Sequence, residues 1–248
     1  LMGASYSPNI VKDGLVFYAD AANPRSYPGS GTVVNSMIGK GVSGSLSSTP
    51  MFDTDSIGNF DFDNTDTIQF NLGSPLSNSQ YLTVGCWMNI DVFENPASAN
   101  SDGGGVFHLT KNNGVYTGGG FAANTYFTQL RWNVRNNSDN YAFLNGASTD
   151  PGTDTWFYYT GTFDGTQSTN ITKTKLYING LQRVLSFNGT QPTSLPSFTS
   201  ADILYWGVAE NYNWYLNGQI SNMHIYNRTL TGQEIIQNYN ALKGRFGL

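Results

Sequence analysis

Hydrophobic and polar residues alternate along most of the chain, and turn-forming residues interrupt the alternation about every ten positions. Side chains of a β-strand point to opposite faces in turn, so this pattern predicts many short strands, as in a sandwich or barrel. In the clearest segment, over 82–90, one face carries Leu82, Val84, Cys86, Met88 and Ile90. We therefore predict an all-β protein with Cys86 in its core.

Two Asn-Gly pairs mark predicted turns. Asn179-Gly180 separates strand-like segments over 173–178 and 181–187, and both residues tolerate the left-handed backbone that a type I′ hairpin requires. A similar turn is predicted at Asn217-Gly218, between 214–216 and 219–226. Turns of this kind indicate antiparallel neighbours in a sheet.

Only the end of the sequence has a helical pattern. Thr231 and Glu234 have capping-box spacing, in which each side chain satisfies a backbone donor of the other residue. The apolar stripe that follows consists of Ile235, Ile236, Tyr239 and Leu242. With Gly244 as the stop signal, the sequence predicts a short helix over about 232–243 that packs one face on the sheets.

Composition excludes several classes of protein. Aromatic residues make up 14% of the chain and charged residues 12%, which is typical of a folded domain and not of a disordered chain. No apolar run approaches the roughly 18 to 20 residues of a membrane-spanning helix, so we expect no membrane partner. The net charge is −5 and the basic residues are scattered, which disfavours a nucleic-acid partner. One cysteine allows neither an intrachain disulfide nor a Cys-based zinc site.

No linker divides the chain. The segments over 95–105 and 188–199 are rich in Gly, Ser, Pro and Asn, but they are short and lie between strand-like segments. We interpret them as surface loops and predict one domain over 1–248. The first residues lack a basic segment followed by an apolar stretch, so we expect no signal peptide.

Five segments, in this order, resemble the laminin G-like, concanavalin A-like lectin/glucanase family. They are an opening strand at 13–24, a strand pair at 59–68, a tryptophan-containing strand at 82–88, a hairpin at 176–180 and a closing strand at 218–230. The resemblance implies a jelly-roll sandwich of two antiparallel sheets with a short C-terminal helix.

The two ends carry a narrower resemblance. The segments over 6–15 and 238–248 are similar to a subgroup found in virion structural proteins of tailed phages, especially aquatic ones. This resemblance implies a capsid-decorating or fibre module on the virion surface. Its expected partners are other virion proteins and further copies of itself in a homo-oligomer. The segment over 33–54 departs from the subgroup pattern.

The acidic residues do not form the catalytic motif of this fold. Its glucanases carry their acids on one strand as Glu-x-Asp-x-x-Glu, because hydrolysis needs two carboxyls roughly 5 to 10 Å apart. The three Glu residues, Glu94, Glu210 and Glu234, do not have this spacing. We therefore predict that the protein is not an enzyme, and glycoside hydrolysis is the least favoured function.

Calcium is the one cofactor that the resemblance suggests. The densest acidic group is Asp61, Asp63 and Asp66, for which turn capping and a structural ion are alternative interpretations. Many laminin G-like domains bind Ca²⁺ through Asp and backbone oxygens, and the resemblance implies Asp63 and Asp66 as ligands, with Asp61 in reserve. Ser221 occupies a position where the closing strand often carries an acid, so one ligand of that pattern is missing.

Aromatic residues next to amides are candidates for glycan contact. Sugar rings pack on flat aromatic faces, while Asn, Asp and backbone groups orient the hydroxyls. The candidate residues are Trp132, Asn133, Trp206, Asn211, Tyr212, Asn213 and Trp214. Packing in the core or in a subunit interface is the alternative for each aromatic ring, and it is our expectation for Trp87 and Trp156.

Two classes of function follow. The main prediction is a non-enzymatic virion structural protein of a tailed phage, with weak binding to cell-surface glycans that multivalent display would strengthen. The alternative is a cell-surface or secreted carbohydrate-binding lectin domain.

Overall fold

The computed structural model describes most of the chain. The described residues are 8–38, 41–48, 51–53, 57–63, 65–72, 74–93, 104–111, 119–126, 129–136, 141–144, 151–209 and 214–248. Among them, no helix combines the length and the apolar character needed to cross a membrane.

The described residues form strands, two short α-helices and a final 3-10 helix. In the first half of the chain the strands are β1 (Leu15–Asp20), β2 (Val33–Asn35), β3 (Ser43–Ser48), β4 (Met51–Asp53), β5 (Asn59–Phe62), β6 (Thr67–Phe70), β7 (Tyr81–Ile90), β8 (Gly105–Thr110) and β9 (Gly120–Tyr126). The next elements are β10 (Gln129–Arg135), β11 (Tyr141–Leu144), β12 (Phe157–Asp164), α1 (Asn170–Lys173), β13 (Thr174–Ile178), β14 (Leu181–Arg183) and β15 (Leu185–Asn188). The last are β16 (Leu204–Trp206), β17 (Val208–Ala209), β18 (Trp214–Tyr215), β19 (Gly218–Tyr226), α2 (Gly232–Leu242) and the 3-10 helix (Lys243–Phe246).

Two large antiparallel sheets form a sandwich. In the described part of the chain, one sheet has eight strands in the order β14-β13-β12-β7-β19-β5-β4, with β1 also paired to β19. The other has nine strands in the order β15-β11-β10-β9-β8-β16-β6-β3-β2. This architecture confirms the predicted all-β jelly-roll class.

The core between the sheets consists of large apolar side chains. The five residues predicted to share one face of β7 are all fully buried there, including the free thiol of Cys86. Rings from the two sheets meet edge to face, with centroid distances of 5.0 Å for Phe17 and Phe70 and 5.9 Å for Phe107 and Tyr159. Gly161 faces the indole of Trp132, where a Cβ atom would lie 2.6 Å from the ring.

Of the two hairpins predicted at Asn-Gly pairs, the structure confirms one. Asn179 and Gly180 have φ values of 53° and 79°, and they join β13 to β14 as predicted. The strand predicted over 181–187 is instead divided at Val184, because β14 pairs in the first sheet and β15 in the second. The turn at Asn217-Gly218 leads into β19, but β18 pairs with β17, so the predicted hairpin there is wrong.

The C-terminal helix begins with the predicted cap. The backbone N–H of Glu234 donates to Thr231 Oγ1 at 3.3 Å, and the N–H of Thr231 donates to Glu234 Oε2 at 2.9 Å. Arg228 donates two further bonds to the same carboxylate, at 3.0 and 2.5 Å, and these bonds hold the pKa of Glu234 at about 2. Ile235 is buried, whereas Ile236 is 43% exposed, so the apolar stripe is narrower than predicted.

Removal of the N-cap tests this end of the fold. Thr231→Ala deletes the hydroxyl that accepts from Glu234, and we expect the free energy of unfolding to fall by about 1 kcal/mol. Urea denaturation measures the change. Thr229→Ala is an unsuitable control, because its hydroxyl donates to Phe163 O, so the control is Thr193→Ala at an exposed position outside α2. An unchanged midpoint for Thr231→Ala would contradict the role of the cap.

The two histidines make stability depend on pH. Burial lowers the pKa of His108 to about 4 and that of His224 to about 3, and Arg245 adds to the effect on His224. In the unfolded chain both imidazoles take up a proton below the ordinary histidine pKa of about 6.5, whereas in the folded protein they stay neutral to lower pH. We therefore expect the free energy of unfolding to fall as the pH is lowered from 7 toward 4. Urea midpoints across this range measure the loss, which His224→Gln should reduce. Protonation of Glu234 lowers the free energy of unfolding only at lower pH, below the ordinary glutamate pKa near 4.5.

Candidate functional site

The outer face of the eight-stranded sheet has a covered part and an open part. In the covered part, Trp87, Tyr158 and His224 are fully buried beneath α2 and the residues that follow it. Phe246 stacks on Trp87 with ring centroids 4.0 Å apart and planes 9° from parallel. The open part begins where β19 starts, beyond the edge of this cover.

The open part holds a groove of about 150 Å³. Its lining residues are Asp53, Ile57, Asn59, Asp61, Trp156 and Gln219. Strand pairing brings them together, because Gln219 lies opposite Asp61 on β5 and Asn59 lies opposite Asp53 on β4. Trp156, directly before β12, is the aromatic wall, and it is half-buried with its ring 5.0 Å from that of Phe246.

Gln219 positions two carboxylates beside the groove. Its Nε2 atom donates to Asp61 Oδ1 and to Asp91 Oδ2, both at 2.9 Å. An ionised carboxylate has two oxygens with several lone pairs, so both groups keep acceptor capacity after binding the amide. The groove therefore offers fixed hydrogen-bond acceptors next to an aromatic ring.

The groove has a negative electrostatic character. Burial raises the pKa of Asp91, and the charges of Asp61 and Asp154 raise it further, while the bond from Gln219 opposes the shift. In the described part of the chain, the lining residues include two Asp and neither Lys nor Arg. A neutral or cationic ligand that donates hydrogen bonds suits this chemistry, whereas an anionic ligand would be repelled.

Two of the predicted glycan-binding residues lie in the core. Trp132 and Trp206 are fully buried, and both belong to the apolar cluster between the sheets. Trp132 Nε1 donates to Thr162 O at 3.1 Å, and Trp206 Nε1 lies 3.2 Å from Met223 Sδ. Neither indole offers a face to a ligand, so the prediction for these two residues is wrong. Asn133 is also buried, and its Nδ2 donates to Asn124 Oδ1 at 2.6 Å.

The other predicted glycan contacts remain predictions. Trp214 is half-buried on β18, in the small hairpin that β17 and β18 form beside the nine-stranded sheet. Asn211, Tyr212 and Asn213 lie outside the described residues. The structure does not place Trp214 near the groove of Asp61 and Gln219.

The candidate calcium ligands lie around a tight turn. Asp63 is exposed and Asp66 is buried, and the N–H of Asp63 donates to Asp66 Oδ2 at 3.3 Å. Burial raises the pKa of the Asp66 carboxyl. Among the described residues, no group of three or more His, Cys, Asp or Glu side chains could hold a metal ion. The contacts observed are those of turn capping, and calcium at Asp63 and Asp66 stays a prediction.

Sequence reasoning found only part of the groove. Asp61 was noted as a reserve ligand, whereas Asp53, Asp91 and Gln219 carried no local signal. Trp156 was expected in the core or in an interface, but it lines the groove. The missing information is long-range pairing, since Asp61 and Gln219 are 158 positions apart in the chain.

Comparison with solved structures identifies the fold. The binding domain of botulinum neurotoxin DC, in complex with rat synaptotagmin II, has a TM-score of 0.67 at 14% identity, over 94% of this chain and 52% of that one. The same domain in complex with SialylT has a TM-score of 0.64 at 14% identity, over 93% and 52%. The ligand binding domain of serotype D, in complex with N-acetylneuraminic acid, has a TM-score of 0.64 at 16% identity, over 92% and 50%. This chain thus spans about half the length of these solved chains.

Comparison at the level of sequence gives the family. A search of curated proteins found no match. The family model described as the concanavalin A-like lectin/glucanases superfamily matches residues 62–236, well over half of the chain, and it includes β7, β12 and β19. The chain therefore belongs to the concanavalin A-like lectin/glucanase superfamily, within its laminin G-like group.

Proposed function

We propose that this protein is a non-catalytic glycan-binding domain and that the groove beside β19 is its binding site. One observation carries the proposal: Trp156 forms an aromatic wall next to Asp61 and Gln219, which supply fixed polar atoms. A sugar ring has apolar C–H faces and a polar hydroxyl rim, so it matches a ring beside acceptors.

The chemistry of the groove favours neutral and amino sugars. The carboxylates of Asp61 and Asp91 accept hydrogen bonds from ligand hydroxyls, and they repel carboxylate-bearing sugars. Two structurally similar neurotoxin domains are in complex with SialylT and with N-acetylneuraminic acid. These complexes support glycan binding on this fold, while the charge of the groove indicates a different sugar for this chain.

A non-enzymatic role is part of the proposal. The sequence lacks the Glu-x-Asp-x-x-Glu strand of the glucanases on this fold. Gln219 holds Asp61 and Asp91 through one amide nitrogen, an arrangement that positions acceptors for a ligand.

A glycan array with multivalent display tests the proposal. We expect binding to neutral glycans, weakened about two- to tenfold by Trp156→Ala, because aromatic stacking contributes about 0.5–1.5 kcal/mol. Asp61→Asn should also weaken binding. The matched control is Trp214→Ala, which removes an indole from the β17–β18 hairpin, outside the lining of the groove. Loss of binding in Trp214→Ala alone would place the site at the β17–β18 hairpin. If folded protein bound no glycan on the array, the proposed glycan-binding function would be wrong.

Binding should weaken in acid. Protonation of Asp91 turns one acceptor site of its carboxylate into an O–H donor and removes the charge that strengthens its hydrogen bonds, and burial raises the pKa of this group. As the pH falls from neutral toward that raised pKa, we expect the affinity for neutral glycans to decrease. Titration calorimetry at several pH values measures the effect. Asp91→Asn should bind more weakly at neutral pH and show a smaller decrease, and an equal decrease in this variant would exclude Asp91 as the cause.

We also propose that this domain lies on the surface of a tailed-phage virion. There it forms a homo-oligomer and contacts other virion proteins. The resemblance over 6–15 and 238–248 supports it, and described parts of these segments are in contact. The N–H of Val11 donates to Asn238 Oδ1 at 2.7 Å. Antibody labelling of purified phage particles that encode this chain, with light scattering of the isolated protein, tests the setting. Unlabelled particles would contradict it, and a monomer in solution would contradict the homo-oligomer.

A further inference from the structure

The covered part of the sheet contains polar atoms that have no hydrogen-bond partner. We define the strap as residues 243–248, which include the 3-10 helix and follow α2. In the described part of the chain, the buried unpartnered atoms near the strap include Trp87 Nε1, both amide atoms of Asn222 and both ring nitrogens of His224. All three side chains are fully buried. Native proteins pair such atoms with protein groups, ordered water or a ligand, so this cluster has the capacity to bind the hydroxyls of a ligand.

The cluster is continuous with the groove. On β19 and β7, Gln219 lies opposite Asn89 and Asn222 lies opposite Trp87, so the same two strands lead from the groove to the covered residues. Asn89 Oδ1 is a further buried atom without a partner among the described residues, and it lies between the two regions. The two regions are therefore neighbouring parts of one surface.

A single aromatic ring separates the cluster from the groove. Phe246 stacks flat on Trp87 at 4.0 Å, and its ring is also 5.0 Å from Trp156 in the groove wall. A phenyl ring and a pyranose ring both have six members, and each packs on an indole face. Phe246 thus occupies the position that a second sugar ring would take.

The strap is held by few contacts. Arg245 Nη1 donates to the two oxygens of Asp20 at 2.9 and 3.0 Å, and Arg245 Nη2 donates to Ser221 Oγ. No strap residue is fully buried, and Gly247 and Leu248 are exposed. Segments with little buried surface open at low free-energy cost, so this cover can be displaced while the sandwich stays folded.

We propose that the strap covers a second subsite of the glycan groove, which accepts one further ring of a neutral oligosaccharide when Phe246 leaves Trp87. This inference rests on the proposed function of the groove. The ring packs on Trp87, and its hydroxyls, which donate and accept, pair with the amide of Asn222 on the neighbouring strand. Because the closed strap reduces the fraction of binding-competent protein, it lowers the apparent affinity for long ligands.

Two variants on the strap test the subsite. Phe246→Ala removes the stacked ring, and Arg245→Gln removes the charge that pairs with Asp20. We expect both to raise the affinity for a hexasaccharide of a neutral series about two- to tenfold and to leave the affinity for the monosaccharide of that series unchanged. Calorimetry with the cello-, chito- and malto-hexaoses and with glucose and N-acetylglucosamine measures both kinds of ligand. The control is Lys243→Ala, a strap residue that lies over Tyr239 and contacts neither Asp20 nor Trp87 in the described structure.

A second measurement does not depend on the stability of the variants. In wild-type protein, hydrogen exchange of the amides over 243–248 should accelerate when the hexasaccharide is added and stay constant with the monosaccharide. Binding that depends on Trp156 but shows neither this acceleration nor a response to Phe246→Ala and Arg245→Gln would overturn the subsite alone. Absence of oligosaccharide binding by wild type and all variants would overturn the proposed function together with the subsite.

Discussion

The pairing of β19 with β7 is the interaction on which the other features depend. Between Ile220 and Asn222 the register of this pair shifts by one residue. The shift keeps Ile220 and Met223 in the core, while Asn222 and His224 lie on the outer face. Without the extra residue, strict alternation would place either Met223 or Ile220 on the wrong face. The groove and the covered cluster both depend on this local irregularity.

The open and covered parts of the outer face differ in whether their polar side chains are accessible or buried. Asp61 and Gln219 remain accessible, so solvent or a ligand can satisfy their remaining hydrogen-bonding capacity. Asn222 and His224 are fully buried, and an unpaired buried polar group costs about 1–3 kcal/mol. A chain selected only for stability would place apolar residues there, as it does on the core face of the same strands. The proposed subsite gives these buried polar residues partners that the described part of the chain does not supply.

The sequence predicted the elements that depend on local patterns. The alternation in β7, the turn at Asn179-Gly180 and the capping box of Thr231 and Glu234 need only neighbouring residues, and all are confirmed. Aromatic residues were harder to place, because alternation does not say which face of a strand is the core. Trp132 and Trp206 thus proved buried, whereas Trp156, expected inside, lines the groove. The contact of Asp61 with Gln219 depends on strand order, which no local pattern contains.

The division of one predicted strand at Val184 has a mechanical consequence. This exposed residue is the whole connection between β14, at the edge of one sheet, and β15, at the edge of the other. The two Cα–Cα steps from Arg183 to Leu185 span at most about 7 Å, so neither edge can move far along its neighbour without pulling on the other. A displacement of β14 along its neighbour is thus transmitted through Val184 to β15, so the edges of the two sheets are mechanically coupled.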